Sequence, residues 1–210
     1  MPGLVLYDNP RSSNALKVRF LLAELDLSHE RRTVVMSRPR PEGYIALNPV
    51  GGIPTLDDDG FVLAESHAIL RYLAGREGRH DLLPTDPFER ARVDEFLDRF
   101  HTGFRAAFFR HEVPALGYSR EKGGFGAVPP DPEAAARVAE EIAPQLSLLD
   151  SLVSPAGAVL GRLTLADFAL APVLHRTLGS GLDLSPFPSL EALRATLVAH
   201  PAFAAADPVG

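Results

Sequence analysis

Apolar and polar positions alternate in short runs over the first 75 residues and then settle into long helical periods. Leu4 to Tyr7 is an apolar run of strand length. Pro10 to Asn14 is a polar turn before a helix in which Leu16, Val18, Phe20, Leu21, Leu22 and Leu25 give a broad apolar face. RRTVVM (31–36) reads as a second strand. A proline-rich turn at 39–41 then leads into a short helical stretch that ends at Asn48-Pro49, where proline disfavours continuation. IPTL (53–56) and FVLA (61–64) are two β runs joined by the hairpin signal DDDG. ESHAILRYLAGR follows and puts Ile69, Leu70 and Leu73 on one helical face. The predicted order is β-α-β-α-β-β-α.

From residue 78 the pattern changes. GRHDLLPTDP is punctuated by glycine and proline and reads as a linker, and every later periodic segment is helical. A helix from Pro87 to about Leu116 carries Val93, Phe96, Leu97, Phe100, Phe104 and Phe108 at three- and four-residue spacing. The glycine- and proline-rich stretch 117–132 is expected to be a mobile loop. Pro132 to Leu152 is a second long helix that Pro144 should kink, a third starts at Thr164 and a fourth near Ser189. The expected division is a first domain over 1–78, a linker over 79–87 and an all-helical domain over 88–210.

Composition narrows the function. The 210 residues are 46% hydrophobic and 23% charged, enough to bury a core and to exclude global disorder. A formal charge of -6 offers no basic field for a phosphate backbone, so nucleic acid is not expected as a partner. No apolar run reaches membrane-spanning length, and MPGLVLYDNP lacks the basic and apolar regions of a signal peptide, which predicts a cytoplasmic protein. The absence of cysteine removes disulfides and cysteine nucleophiles, so any thiol chemistry must use a thiol brought by a ligand. The seven histidines show no ligand spacing, and no metal is expected.

Three turns carry candidate chemistry. PRSSN (10–14) puts a serine at a helix start, beside free N–H groups and the positive end of a helix dipole; the bland alternative is capping alone. VGGIPTL (50–56) has an X-Pro bond directly before a strand, where a cis bond fits and a strand-edge backbone pair is free for a peptide-like ligand. Glu65-Ser66 opens a helix, so Ser66 and the first N–H groups suit a carboxylate while Glu65 suits an ammonium. Together they suit a small zwitterionic peptide. TLAD (164–167) is a capping box, assigned to folding. His101 and His111 read as solvated or packed. GGFGAVPP (123–130) lacks the strand and Lys-Ser/Thr of a phosphate loop.

YDNPRSSNALKVRFLLAEL, ALNPVGGIPTL, ESHAILRYL and LTLADFAL resemble, in order and spacing, the glutathione transferase superfamily over essentially the whole chain. The resemblance implies an α/β thioredoxin-like N-terminal domain that binds glutathione, an all-α helical C-terminal domain that supplies a hydrophobic substrate pocket, and a homodimer. ERARVDEFLDRFHTGFR (89–105) looks most like theta-type enzymes. RSSNALKVR is also similar to the zeta motif SSCSWRVR, with Asn14 at its cysteine and Ala15 at the serine after it.

In serine-type members the pattern places the catalytic hydroxyl at Ser12, with Ser13 the close competitor and the expected helix cap. Tyr7 is read as a strand residue, and Asp8 falls where tyrosine-type members carry their tyrosine. By the same resemblance Ile53, before Pro54, pairs its backbone with the cysteinyl part of glutathione, and Glu65 and Ser66 hold the γ-glutamyl end. Arg38 or Arg40 meets the glycyl carboxylate. Gly52 stands where many relatives have Lys, Gln or Arg. The i+4 spacing of Phe96, Phe100, Phe104 and Phe108 reads as core or domain contact, with Phe104 and Phe108 as alternative candidates for the border of the electrophile pocket. The implied activity is conjugation of the glutathione thiolate to a hydrophobic electrophile, in a detoxification role. The alternatives are a noncatalytic binding protein of the same fold and a zeta-type maleylacetoacetate isomerase.

Overall fold

The structure is a computed structural model that describes residues 3–206; the outer ends of the two expected domains, 1–2 and 207–210, lie outside the described residues. A four-stranded mixed sheet has the order β2-β1-β3-β4, with β1 Leu4–Asp8, β2 Glu30–Thr33, β3 Thr55–Asp58 and β4 Phe61–Ala64. β1 pairs parallel to β2 and antiparallel to β3, and β3 pairs antiparallel to β4. Three helices accompany the sheet: α1 Ser13–Glu24, α2 Glu42–Leu47 and α3 Ser66–Arg76. This is the thioredoxin-like arrangement expected from the β-α-β-α-β-β-α pattern.

Along β1, buried Leu4, Leu6 and Asp8 alternate with half-buried Val5 and Tyr7. Asp8 is wholly buried and accepts from Arg19 Nη1 and Arg31 Nη2, both at 2.9 Å. Both bonds fall on Oδ2 and tie α1 and β2 to the centre of the sheet, while the buried Oδ1 has no hydrogen-bond partner among the described residues. Tyr7 is a strand residue whose hydroxyl accepts from Arg32 Nη1 at 2.9 Å.

Two strands differ from the sequence expectation. β2 ends at Thr33 rather than Met36, because the Asn9 side chain donates to the Val34 carbonyl at 2.8 Å and turns the chain out of the sheet. β3 starts at Thr55 rather than Ile53, since Pro54 has no N–H for the ladder. The hairpin closes on Asp59 (φ 50) and Gly60 (φ 93), the two positive-φ positions of a tight primed turn.

The helical part runs α4 Pro87–Arg99, a π-helical turn Phe100–Phe104, α5 Arg105–Ala115, α6 Pro132–Leu152, α7 Leu165–Ser180, α8 Pro188–Val198 and α9 Pro201–Ala206. Asp86 caps α4 by accepting from the Phe88 and Glu89 N–H groups. Thr164 and Asp167 form the expected capping box of α7, and Asp167 also accepts from Val159 N at 2.8 Å. Pro144 lies inside α6. The short α9 was not signalled by periodicity, being a single run of PAFAAA. The helix expected over 87–116 is divided by the π turn, which keeps Phe100 and Phe104 in the core while leaving His101 exposed.

The main core lies between α1 and the helical part. Phe20 packs on Phe168 at 4.2 Å between ring centroids and meets the edge of Phe203 at 5.2 Å. In the segment between α3 and α4, Leu82 and Leu83 are buried and the Leu82 carbonyl accepts from Leu165 N at 3.1 Å. The segment 117–131 folds back on itself. Ser119 and Gly124 exchange backbone hydrogen bonds, and Gly117 (φ 61) comes so close to Val128 that a β-carbon would lie 1.9 Å from its carbonyl oxygen. Only glycine fits there.

Candidate active site

A cleft of about 530 Å³ opens between the turn into α1, the 36–40 loop, the lead-in to β3, the start of α3 and one wall of the helical part. It brings together Ser12, Arg40, Gly52, Ile53, Pro54, Glu65 and Ser66, together with Ser13 and Arg38.

The turn before α1 is built by Asn9, whose carbonyl accepts from Ser12 N at 2.9 Å and whose side chain accepts from Arg11 N at 2.9 Å. Ser12 has extended backbone (φ -89, ψ 111), and its Oγ accepts from Ala15 N at 3.2 Å. Ser12 is therefore the helix cap. This corrects the expectation that Ser13 takes that role: Ser13 is already helical, and its Oγ accepts from Arg105 Nη2 at 3.1 Å. Capping does not use the Ser12 proton, because a hydroxyl has one donor and two lone pairs. The same oxygen can accept from Ala15 and donate into the cleft.

The Ile53–Pro54 bond is cis. The preceding Gly52 carbonyl is fixed by Asn48 Nδ2 at 3.1 Å and by the Tyr44 hydroxyl, and both groups also bond Thr55 Oγ1. Burial raises the Tyr44 pKa, so its phenol stays a donor. A β-carbon on Gly52 would meet nothing closer than Asn48 Nδ2 at 3.8 Å, so the position has room for a side chain.

Arg40 braces its own loop and the Gly51 carbonyl: its Nε donates to Gly51 O at 3.1 Å, and its Nη1 to Ser37 O at 3.0 Å and to Val35 O. Arg38 Nη2 reaches the same Gly51 carbonyl at 3.4 Å. Glu65 is exposed and has a positive φ of 69; its carbonyl accepts from Ile69 N at 3.0 Å, but its side chain makes no hydrogen bond or ion pair with a described residue. A non-glycine residue held there stores local strain, a feature that concentrates at functional sites. Ser66 follows as the first residue of α3 and is buried.

Beneath the turn, one helical turn after Ser13, Lys17 is buried with its Nζ 3.2 Å from His67 Nε2 and 4.9 Å from the Phe100 ring centre. Burial, and then the nearby Arg105, hold the Lys17 pKa well below the usual lysine range. Burial, and then Lys17, lower His67 to about 2, so His67 is neutral and its Nε2 accepts from Lys17.

The opposite wall was missed in the sequence. It consists of His101, Arg105 and Phe109 from the π turn and α5, Tyr118, Arg120 and Phe125 from the folded loop, and Arg176 from α7. Phe104 and Phe108 are core residues, 6% and 1% exposed, as their spacing suggests, and do not border the cleft, because the apolar stripe of this helix faces inward and the Arg105-Phe109 face meets the cleft. The GGFG segment, set aside as a phosphate loop, supplies the aromatic side of the wall. Arg11 Nη1 donates to Phe125 O at 2.6 Å, and the Arg176 guanidinium lies 4.7 Å from the Phe125 ring centre. His101 borders the cleft, whereas His111 is buried.

Among the described residues no group of three or more His, Asp or Glu side chains is placed to hold a metal ion, and no helix is long and apolar enough to cross a membrane. What the fold and site define is a two-domain protein with a peptide-sized cleft where a thioredoxin-like domain meets a helical one.

Comparison with known proteins identifies the class. Residues 11–76 match the family model for the glutathione S-transferase N-terminal domain. A probable maleylacetoacetate isomerase of Caenorhabditis elegans is 32% identical over 206 residues, spanning 97% of this chain and 92% of that one. Glutathione S-transferase GstB of Escherichia coli is 28% identical over 95% of both chains. Among solved structures, the theta class glutathione S-transferase from Xanthomonas axonopodis pv. citri, with glutathione bound, superposes with a TM-score of 0.84 at 25% identity, over 100% of this chain and 99% of that one. The chain belongs to the glutathione transferase superfamily.

Proposed function

We propose that this protein is a glutathione-dependent enzyme in which the Ser12 hydroxyl stabilises the glutathione thiolate for attack on an electrophilic double bond. The observation that carries the reading is the meeting, in one cleft, of the Ser12 turn, the Ile53–Pro54 backbone and the Glu65–Ser66 helix start. A thiol with a pKa of about 8.5 is mostly protonated at neutral pH, so a hydroxyl donor and a helix N-terminus beside the sulfur favour the reactive form. No general base is required. The glutathione backbone pairs with Ile53, its γ-glutamyl ammonium with Glu65 and the adjoining carboxylate with Ser66, while Arg40 or Arg38 takes the glycyl end. Residues 1–78 are the glutathione-binding domain in this reading, and 88–210 supply the second-substrate wall.

The isomerase names among the relatives favour cis-trans isomerisation of a conjugated enone. The thiolate forms a bond to the alkene carbon, and the alkene electrons move to the carbonyl oxygen as an enolate. The former double bond rotates, and the enolate then re-forms it and expels the thiolate, so glutathione is regenerated. Conjugation shares the first step but ends with protonation of the enolate carbon. The aromatic cluster of Phe109, Tyr118 and Phe125 supports this second reading, with a hydrophobic electrophile.

Incubation with glutathione and maleylacetoacetate, with free thiol followed alongside product, separates the two. Isomerisation leaves the thiol concentration constant and conjugation depletes it. No turnover of maleylacetoacetate or of aryl halides, with glutathione bound, would instead make the protein a noncatalytic glutathione binder. We also propose a homodimer, consistent with Phe61 and Val62 standing 52% and 36% exposed on edge strand β4. A sedimenting species of 22.6 kDa at micromolar concentration contradicts it.

A further inference from the structure

Three guanidinium groups line one end of the cleft. Arg38 and Arg40 come from the loop before α2, and Arg120 comes from the folded segment 117–131 of the helical part. Arg38 and Arg40 are held by backbone carbonyls and share that of Gly51, whereas the exposed Arg120 side chain makes no hydrogen bond or ion pair with a described residue. No carboxylate among the described residues pairs with any of the three. Burial first, and the charge of Arg38 second, lower the Arg40 pKa, and Arg120 is near enough to act in the same direction. Among the described residues that line the cleft, the one carboxylate is Glu65, assigned above to the ammonium of glutathione. The three cations therefore repel one another when no anion lies between them.

The segment that carries Arg120 is a strap anchored on α5. Near its two ends, Gly126 N donates to Leu116 O at 2.7 Å and Asp131 N donates to Pro114 O at 2.9 Å. Its tip closes on itself through the Ser119–Gly124 pair and reaches the thioredoxin-like part at two points. Arg11 Nη1 donates to Phe125 O, and a β-carbon on Gly124 would lie 3.2 Å from Cβ of Met36, two residues before Arg38. The hydrogen bond is exposed to solvent, so a ligand carboxylate bridging Arg120 to Arg40 adds a share of comparable size to what holds the strap down.

We infer that Arg120 is a third partner of the glycyl carboxylate, beside Arg38 and Arg40, and that glutathione thereby draws the 117–131 strap onto the thioredoxin-like part. The inference rests on the glutathione reading above and adds to it a binding residue from the helical part. Tyr118 and Phe125 lie on the same strap and line the cleft, so the end of glutathione remote from the sulfur sets the wall that the second substrate meets. Binding energy from a non-reacting group is in this way used to shape the site.

The test uses S-methylglutathione, which has no free thiol, and its glycyl amide, which lacks the carboxylate. Calorimetry on the unaltered protein should show the carboxylate form binding about tenfold tighter than the amide. Arg120→Gln, at an exposed side chain, should cut that ratio by about three- to fivefold with little change for the amide. Hydrogen exchange reads the strap itself. Backbone N–H groups of 117–128 should exchange more slowly once the carboxylate form is bound, and neither the amide nor the Arg120→Gln variant should reproduce that slowing. No slowing with the carboxylate form, equal slowing with the amide, or an Arg120→Gln ratio equal to that of the unaltered protein overturns the strap contact and leaves the glutathione reading intact. Failure of both ligands to bind to folded protein overturns the contact and the glutathione reading together.

Discussion

Replacing Lys17 by Met tests whether the buried cation under the turn is held against its charge. Lys17 is 1% exposed and faces His67 from α3, Phe100 from the π turn, and the charges of Arg105, Glu112 and Glu65. Its folded pKa is lowered from 10.5, first by burial and then by Arg105. Between the lowered value and 10.5 the unfolded chain binds more protons than the folded one, so stability must rise with pH across that window. The full slope is about 1.4 kcal/mol per pH unit for one proton.

Met keeps the volume and removes the charge. Losing the hydrogen bond to His67 costs about 1 kcal/mol, but that cost is constant above neutral pH, because His67 titrates near 2 and stays uncharged. The pH dependence of the difference therefore isolates the lysine. Urea unfolding from pH 7 to 10.5 should show the unaltered protein gaining stability relative to Lys17→Met as pH rises, with Met most favourable at the neutral end. Parallel profiles for the two proteins would refute the reasoning, because Lys17 would then titrate as it does in the unfolded chain.

Other perturbations follow from the same contacts. Ser12→Ala removes the α1 cap and should cost about 1 kcal/mol, a fall of roughly 2–4 °C in Tm by calorimetry, whereas Ser13→Ala should cost less, since Arg105 Nη2 keeps Glu112. Glu65→Ala should weaken glutathione binding by titration while leaving the stability of the unliganded protein within about 1 kcal/mol, because the Glu65 side chain pairs with no described residue. Gly52→Gln should fold normally, there being room for a β-carbon and no positive φ, and should raise glutathione affinity several-fold by restoring a side-chain contact. Asp167→Ala strips acceptors from the N–H groups of Val159 and Thr164 at 0% exposure and should destabilise by about 2–3 kcal/mol in urea unfolding.

Much of the fold was legible because it depends on local chemistry. The apolar run LVLY, the Asp-Gly hairpin at 59–60 and the Thr164/Asp167 box each act within a few residues, and each appears as expected. The thioredoxin side of the cleft was legible for the same reason, since Ser12, Ile53–Pro54 and Glu65–Ser66 lie at turns and element ends that line it. Its finer register was not. Two adjacent serines offer the same hydroxyl, and only the extended backbone of Ser12 decides which one caps α1.

The far wall depended on long-range geometry. Arg105 reaches Ser13 across 92 positions, and Arg176 reaches Arg11 across 165. The phenylalanine stripe reads as a core face, which Phe104 and Phe108 bear out, while their alternative place at the pocket border does not hold. The polar and aromatic positions beside it, Arg105 and Phe109 one helical turn apart, were the available signal. A π turn of five residues leaves no distinctive composition, so the division of the helix at Phe100 was not readable.

The central claim is that Ser12 stabilises the thiolate of bound glutathione, and the ultraviolet absorbance of that thiolate, titrated against pH, tests it most directly. The bound thiol should titrate below the ordinary value of about 8.5. Ser12→Ala should raise its pKa by about one to two units, the equivalent of one hydrogen bond to a charged sulfur. Ser13→Ala and Tyr7→Phe should leave it nearly unchanged. A bound thiol that titrates like the free one, or a rise seen only in Ser13→Ala or Tyr7→Phe, contradicts the account.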